Sequence, residues 1–210
     1  MAQVKICGLS TSTTLQAALE AGADFVGLMF YPKSPRNVSL EHAAVFATQA
    51  KGRAKIVAVV VDADDALLKS IMNSAKPDFI QAHGSETPQR IAEIKNQTGA
   101  RVIKVIKVKD AGDVALAKDY RSVADLIMFD PKAAEDMLPG GNGVAFNWNL
   151  LNGNDGQFML AGGLNPENVA QAIRLTRAPI VDVSSGVETT PGVKDIGLIR
   201  KFIEAAKANG

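Results

Sequence analysis

Apolar residues occur along this chain in short, nearly continuous runs separated by longer segments with helical periodicity. The runs at 24–30 (DFVGLMF) and 55–61 (KIVAVVV) have the length and the unbroken hydrophobicity of strands covered on both faces. The segments between the runs begin at Thr, Ser or Asp residues that can cap a helix, and they carry apolar stripes such as Leu15, Ala18 and Leu19. The pattern therefore predicts alternating strands and helices.

This alternation predicts a closed barrel. The predicted strands are 4–8, 24–30, 55–61, 79–82, 102–108, 126–129, 158–161 and 180–183, and the predicted helices are 11–21, 40–50, 65–74, 87–98, 112–119, 166–175 and 195–208. Strands that alternate with helices form a parallel sheet, and eight such units, spaced by roughly 25 residues, favour a (β/α)₈ TIM barrel over an open sheet. Because no linker or low-complexity segment interrupts the series, we expect one barrel domain over residues 1–210.

Composition excludes several classes of function. The chain has 23 basic and 22 acidic residues, a net charge of +1 and no basic run longer than a pair, so nucleic acid is not an expected partner. The single cysteine cannot form an internal disulfide, and the two histidines, His42 and His83, lack the spacing of metal ligands. Without a signal-peptide core or a membrane-spanning run, we expect a soluble cytoplasmic protein, either a monomer or a homodimer.

Polar residues gather where the predicted strands end, which is where a barrel of this kind holds its active site. Cys7 ends the first strand, Gln81 and His83 share one face at the end of the fourth, Asp130 follows the sixth, and Asp182 lies in the eighth. These residues are the candidates for chemistry. The alternative for Gln81, His83 and Asp182 is that each is a satisfied polar residue of the interior.

Cys7 has a neighbour that could activate it. Side chains alternate along a strand, so Lys5 lies on the same face as Cys7. A buried ammonium group favours an adjacent thiolate, which predicts a pKa of Cys7 below its ordinary value. The alternative is that Cys7 is a small buried hydrophobic residue, as most lone cysteines are.

Two loops indicate an anion site. Gly162 and Gly163 follow the seventh strand, and Ser184, Ser185 and Gly186 follow the eighth. Glycines let the backbone approach a ligand closely, and these two loops form the usual phosphate site of the fold. A third glycine-rich loop, residues 140–143, follows the sixth strand.

Arg36 is the candidate for binding a second anion. It lies in the loop after the second strand, where Pro32 and Pro35 restrict the backbone. Its guanidinium offers paired donors that match a carboxylate or a phosphate. The alternative is an ordinary surface arginine.

Eight short motifs occur in a joint order that is highly specific. They are KICG at 5–8, GAD at 22–24 with Gly27, SPR at 34–36, QAHG at 81–84, FD at 129–130, FNW at 146–148, GGLNPENV at 162–169 and DVSSGVE at 182–188. Over essentially its whole length, the chain resembles the phosphoribosylanthranilate isomerases, barrel enzymes of tryptophan biosynthesis.

The resemblance implies an isomerase that needs neither metal nor cofactor. Its substrate is N-(5′-phosphoribosyl)anthranilate, which an Amadori rearrangement converts into 1-(2-carboxyphenylamino)-1-deoxyribulose 5-phosphate. By resemblance, Asp130 is the general acid that protonates the ring oxygen, and Cys7, as thiolate, removes the C2′ proton. Asp130 must then be protonated and Cys7 deprotonated near neutral pH.

The remaining site residues follow from the same resemblance. Arg36 matches the residue that binds the anthranilate carboxylate, and Asp182 matches an acidic residue that contacts a substrate hydroxyl or supports the site. The backbone of Gly163, Ser185 and Gly186, together with Gly143, would bind the phosphate. Lys5, Gln81 and His83 are the candidates for support.

The chain departs from the family pattern near the third glycine loop. Val144 and Ala145 stand where the family often has a lysine or threonine, and Asn147 stands where aspartate is frequent. Side-chain help for the phosphate from this loop is therefore in doubt, while backbone donors remain.

Two other functions compete with this interpretation. One is a neighbouring barrel activity, such as another cofactor-free sugar-phosphate isomerase or the indole-glycerol-phosphate synthase step, for which we would expect catalytic lysines and glutamates at the strand ends. The other is a non-catalytic barrel that binds a sugar phosphate, which would need neither Cys7 nor Asp130.

Overall fold

The computed structural model describes residues 1–132, 146–154 and 156–208. In these ranges eight parallel strands pair in chain order, and the eighth pairs with the first to close a barrel. The predicted (β/α)₈ class is confirmed. The prediction of one domain with bounds 1–210 stays a prediction, since residues 133–145, 155 and 209–210 lie outside the described ranges.

The bounds of the elements follow the predicted ones closely. The strands are β1 Gln3–Cys7, β2 Phe25–Phe30, β3 Lys55–Val60, β4 Phe79–Ala82, β5 Arg101–Val108, β6 Leu126–Pro131, β7 Phe158–Leu160, β8 Ile180–Val183, β9 Glu188–Thr190 and β10 Val193–Lys194. The helices are α1 Ser12–Ala21, α2 Leu40–Ala50, α3 Asp65–Ser74, α4 Pro88–Thr98, α5 Ala111–Ala115, α6 Ala117–Tyr120, α7 Val169–Thr176 and α8 Ile196–Lys207, with 3₁₀ turns at Trp148–Leu151 and Ser185–Val187.

Three segments differ from the prediction. The helix predicted at 112–119 is two short helices, α5 and α6. The helix predicted at 166–175 starts only at Val169, because the side chains of Asn165 and Asn168 bond backbone N–H groups and hold the residues before it in a turn. The antiparallel hairpin β9–β10, between β8 and α8, was not predicted.

Alternation along the strands divides the core into two layers. One set of side chains packs inside the barrel, and the other set packs between the barrel and the helices. The buried apolar members of the inner set are Cys7, Phe25, Met29, Val57, Val59, Phe79, Ile103, Val105, Leu126, Met128, Met159, Ala161 and Ile180. Phe129 belongs to the outer layer, so its neighbour Asp130 faces the interior, as predicted.

Aspartates tie the amino ends of neighbouring strands together. An aspartate directly precedes each of β2, β4 and β6, and its carboxylate accepts a hydrogen bond from the second residue of the preceding strand. The pairs are Asp24 with the N–H of Val4 (2.9 Å), Asp78 with the N–H of Ile56 (2.7 Å) and Asp125 with the N–H of Val102 (2.8 Å). The repeated bond fixes the register of β1, β3 and β5 at the end of the barrel opposite the predicted site.

Within the described ranges, no helix combines the length and the hydrophobicity needed to cross a bilayer.

We expect Asp78→Ala to lower the free energy of unfolding by about 1.5 kcal/mol, near the low end for a hydrogen bond to a charged group, because Asp78 is exposed. Urea unfolding measures the change. Asp78→Asn, which keeps an acceptor oxygen, should lose less. Equal stability of Asp78→Ala and the parent protein would show that the bond contributes nothing.

Candidate active site

The carboxyl ends of the strands bring the predicted polar residues together. Cys7, Gln81, Asp130 and Asp182 are buried side chains on four different strands, and His83 follows β4 directly. The backbone N–H of His83 donates to the carbonyl of Val60 and so continues the β3–β4 ladder by one residue. Strand alternation therefore places all five candidates at one mouth of the barrel, as predicted.

Lys5 and Asp182 form an ion pair inside the barrel. They are direct partners in the register of β1 and β8, and the Nζ of Lys5 lies 2.8 Å from the Oδ1 of Asp182. The Lys5 side chain is 0% exposed. Burial by itself lowers the pKa of Lys5, but attraction to Asp182 and to Cys7 outweighs it, so the pKa is raised and the lysine stays charged.

The prediction that the pKa of Cys7 is lowered is wrong. Burial raises the pKa of the Cys7 thiol, and this effect exceeds the opposing attraction of Lys5. The negative charge of Asp182, which is paired with that same lysine, raises the pKa of Cys7 further. The thiol therefore keeps its proton at neutral pH in the protein without substrate.

Gln81, His83 and Asp130 form a second polar group. The Nε2 of Gln81 lies 3.1 Å from the Nδ1 of His83, and the Nε2 of His83 lies 3.3 Å from the Oδ2 of Asp130. With the amide nitrogen of Gln81 donating to Nδ1, the proton of the neutral imidazole lies on Nε2, the nitrogen that faces Asp130. The His83–Asp130 contact does not have hydrogen-bond geometry in this state.

A buried ion pair fixes the loop that carries His83. The Nζ of Lys104 donates to Glu86 (2.7 Å) and to the carbonyl of Gly84 (2.9 Å). The other carboxylate oxygen of Glu86 accepts from the N–H groups of Asp62 and Gly84. This pair was not predicted from the sequence, and it lies behind the loop rather than in the mouth of the barrel.

Arg36 is buried and joins a third group of charges. Its Nε and Nη2 donate to the two carboxylate oxygens of Glu188, over 2.8 and 2.7 Å. The ammonium of Lys194 lies 2.6 Å from the Oε1 of Glu188. Burial would raise the pKa of Glu188, but the hydrogen bonds of Arg36 and the charge of Lys194 outweigh it, so the pKa is lowered.

Glu188 and Lys194 were missed as members of the site. Glu188 ends the DVSSGVE motif, but nothing in the sequence pairs it with Arg36, 152 positions away. Lys194 belongs to the unpredicted hairpin, and its side chain is only 1% exposed. Long-range pairs of this kind leave no periodic signal in a sequence.

The loops predicted to bind phosphate lie side by side. Gly186 is in the 3₁₀ turn Ser185–Val187, packed so closely that a Cβ there would overlap the carbonyl oxygen of Leu164 in the neighbouring loop. The carbonyl of Gly163 accepts a hydrogen bond of 2.8 Å from the side-chain amide of Asn168. Gly143, like Val144 and Ala145, lies outside the described residues.

A protein metal centre would need several ligating side chains together. Within the described part of the chain, no three His, Cys, Asp or Glu side chains are placed to share a metal ion.

This closed (β/α)₈ barrel carries a thiol, a carboxyl and an imidazole at the carboxyl ends of its strands. That arrangement is typical of barrel enzymes. The model of one family, described as N-(5′-phosphoribosyl)anthranilate (PRA) isomerase, matches residues 4–205. The chain belongs to this family.

Individual relatives agree with this assignment. A protein of Rhodopseudomonas palustris (strain BisA53), named N-(5′-phosphoribosyl)anthranilate isomerase, is 53% identical over 208 residues, which are 98% of this chain and 95% of the relative. The crystal structure of the phosphoribosyl anthranilate isomerase of Thermotoga maritima has a TM-score of 0.89 and 35% identity, covering 99% of this chain and all of the other.

A further crystal structure shows a ligand in a relative. It is a phosphoribosyl anthranilate isomerase in complex with reduced 1-(o-carboxyphenylamino)-1-deoxyribulose 5-phosphate, with a TM-score of 0.87 and 34% identity. It covers 99% of this chain and 100% of the relative.

We expect substitutions in the buried ion pair to shift the pKa of Cys7 in opposite directions. Lys5→Met removes an attracting cation and should raise it, whereas Asp182→Asn removes a repelling anion and should lower it. Ultraviolet absorbance of the thiolate during a pH titration measures both shifts.

Each single variant should also lose stability, by about 3 to 5 kcal/mol in the case of Lys5→Met, because one buried charge is left without its partner. The titrations are therefore run where each variant is still folded. Shifts of the same sign in both variants would contradict the electrostatic account.

Proposed function

We propose that this protein catalyses the Amadori rearrangement of N-(5′-phosphoribosyl)anthranilate to 1-(2-carboxyphenylamino)-1-deoxyribulose 5-phosphate. The observation that carries the proposal is the pair of buried, inward-facing groups Cys7 and Asp130, at the ends of β1 and β6, in a member of this family. An acid and a base are the two groups this rearrangement requires.

In the proposed sequence, Asp130 gives a proton to the ring oxygen of the ribose. The C1′–O bond breaks, and the anthranilate nitrogen, which keeps its proton, forms a protonated imine with C1′. The Cys7 thiolate then takes the proton from C2′, which gives an enolamine. The enolamine loses its 2′-hydroxyl proton and gains one at C1′, yielding the ketoamine without a net change in protons or electrons.

The protonation state this mechanism needs is not the resting one. Burial keeps the proton on Cys7 in the free protein, whereas the reaction needs a thiolate there and a proton on Asp130. The active form is therefore a minor protonation state. Lys5 supports it, because its ammonium is the group that favours the thiolate most.

His83 and Gln81 support the acid in this proposal. The Nε2–H of His83 lies 3.3 Å from the Oδ2 of Asp130 without hydrogen-bond geometry in the free protein, and in this proposal the contact tightens into a hydrogen bond that orients the carboxyl group once substrate is bound. Gln81 selects the imidazole tautomer. The other carboxyl oxygen of Asp130 would then carry the proton for the ring oxygen.

The remaining contacts bind the anthranilate end and the ribose phosphate end of the substrate. Arg36 binds the anthranilate carboxylate, and Asp182 contacts a ribose hydroxyl. Backbone N–H groups of Gly163, Ser185 and Gly186 bind the phosphate, with Gly143 as a further candidate. The reaction needs no cofactor, and the small-molecule substrate is the only partner that it requires.

Location and assembly also belong to this proposal. The cytoplasm is where a soluble enzyme of amino-acid biosynthesis is expected to act. A cytoplasmic location, and a monomer or homodimer as the state of assembly, stay predictions.

The test follows the loss of phosphoribosylanthranilate after the purified protein is added. We expect turnover by the parent protein, and Cys7→Ser and Asp130→Asn should each lower kcat by at least about a hundredfold with little change in affinity. Asp119→Asn, at an exposed helix position, is the control and should be fully active. Binding without turnover by the parent would instead favour a non-catalytic barrel.

Arg36→Ala should act mainly on KM. Losing a charged hydrogen bond to the carboxylate corresponds to about 1.5 to 3 kcal/mol of binding free energy, with kcat largely kept. Steady-state kinetics with the same substrate measure the change. An unchanged KM would remove Arg36 from the substrate site.

A further inference from the structure

We infer that Glu188 is a positioning residue that holds Arg36 in the orientation that selects a substrate carrying a carboxylate on its aromatic ring. The inference rests on the role proposed above for Arg36. It concerns a residue that contacts the arginine, and its test separates the two claims.

The carboxylate of Glu188 is held by four donors. Oε1 accepts from the Nε of Arg36 (2.8 Å) and the Nζ of Lys194 (2.6 Å), and Oε2 accepts from the Nη2 of Arg36 (2.7 Å) and the N–H of Gly192 (3.2 Å). The side chain of Glu188 is 3% exposed. A carboxylate saturated in this way has one orientation, and its two bonds to Arg36 fix the plane of the guanidinium.

Lys194 and Gly192 hold Glu188 in place independently of Arg36. The ammonium of Lys194 also donates to the carbonyl (2.9 Å) and to the hydroxyl (3.2 Å) of Ser184, at the end of β8. Glu188 would therefore remain in position if the guanidinium moved. Glu188 is therefore a rigidly held partner that orients Arg36.

The hairpin that carries Glu188 also contacts the loop that carries Arg36. Glu188 begins β9 and Lys194 ends β10, so both lie at the base of the hairpin. Gly192 has a left-handed φ of 87°, and a Cβ there would lie 2.9 Å from the carbonyl oxygen of Pro35. The hairpin that carries Glu188 and the loop that carries Arg36 thus contact each other through backbone atoms as well as through side chains.

Because Glu188 preorganises Arg36, it should affect which ligands the protein binds tightly. An arginine side chain has many rotamers, and ordering them during binding lowers affinity. The two hydrogen bonds to Glu188 use two of the five N–H donors of the guanidinium, and they fix the orientation of the guanidinium before a ligand binds. Only a ligand with a carboxylate facing Arg36 gains from this ordering.

A competing interpretation makes the opposite prediction. If Glu188 merely occupied Arg36 in place of the substrate carboxylate, removing its charge would release the arginine and tighten binding. Lys194 and Gly192 hold Glu188 independently of Arg36, which favours the interpretation that Glu188 positions Arg36. The sign of the change in affinity decides between the two interpretations.

The experiment measures binding of two stable ligands by calorimetry. One is the reduced product analogue, reduced 1-(o-carboxyphenylamino)-1-deoxyribulose 5-phosphate, and the other is the same compound without the ring carboxyl. We expect Glu188→Gln to weaken binding of the carboxylated ligand by about tenfold or more and to leave the other ligand within about twofold.

A double-mutant cycle shows whether Glu188 acts through Arg36. In an Arg36→Met background, Glu188→Gln should produce no further loss for the carboxylated ligand beyond about twofold. Additive losses, equal losses for both ligands, or tighter binding of the carboxylated ligand would each overturn the inference.

The same data separate this inference from the proposed function. If Arg36→Met itself leaves the preference for the carboxylated ligand unchanged, the proposed role of Arg36 fails. If Arg36→Met abolishes the preference but Glu188→Gln does not reduce it, only the role of Glu188 fails.

Two further variants control for folding. Asp65→Asn removes the exposed carboxylate of a pair in which Arg90 lies 2.7 Å from Asp65, and binding of both ligands should be unchanged. If Glu188→Gln does not fold, Glu188→Asp keeps the charge on a shorter side chain. It should show a smaller loss confined to the carboxylated ligand, and the absence of that loss would overturn the inference.

Discussion

The structure depends on an ion pair buried inside its barrel. Lys5 and Asp182 are register partners on β1 and β8, the strands whose pairing closes the barrel. Desolvating two charges is unfavourable, and their mutual attraction offsets this only at short range. The pair therefore requires the observed register, since a slip of one residue along either strand would turn that strand's member of the pair toward the helices.

The same pair sets the electrostatic conditions at Cys7. Lys5 favours the thiolate, Asp182 disfavours it, and burial disfavours it most, so the resting state is a thiol. Lys194 also lowers the pKa of Cys7, and it is itself held by Glu188, the carboxylate that holds Arg36. The proposed base and the proposed carboxylate site thus belong to one connected set of buried charges.

Much of the fold could be predicted because strands covered on both faces leave unbroken apolar runs, as in β2 and β3. Alternation also predicted which side chains of β4 and β8 face inward. The hairpin β9–β10 and the Arg36–Glu188–Lys194 group could not be predicted, since they depend on contacts between distant segments. The pKa of Cys7 was misjudged mainly because the sequence does not show how completely the thiol is buried, which outweighs the attraction of Lys5. The sequence also does not show that Asp182, on another strand, shares the charge of that lysine.

Burial outweighs the attraction of Lys5, so Cys7 is protonated in the free protein. Because Cys7 is the only cysteine, protein labelled with carbon-13 at the cysteine Cβ gives one resonance whose shift reports ionisation of the thiol. We expect the midpoint of the Cys7 titration to lie above the ordinary value of 9.0. A midpoint below that value, with the thiolate already formed near neutral pH, would contradict it.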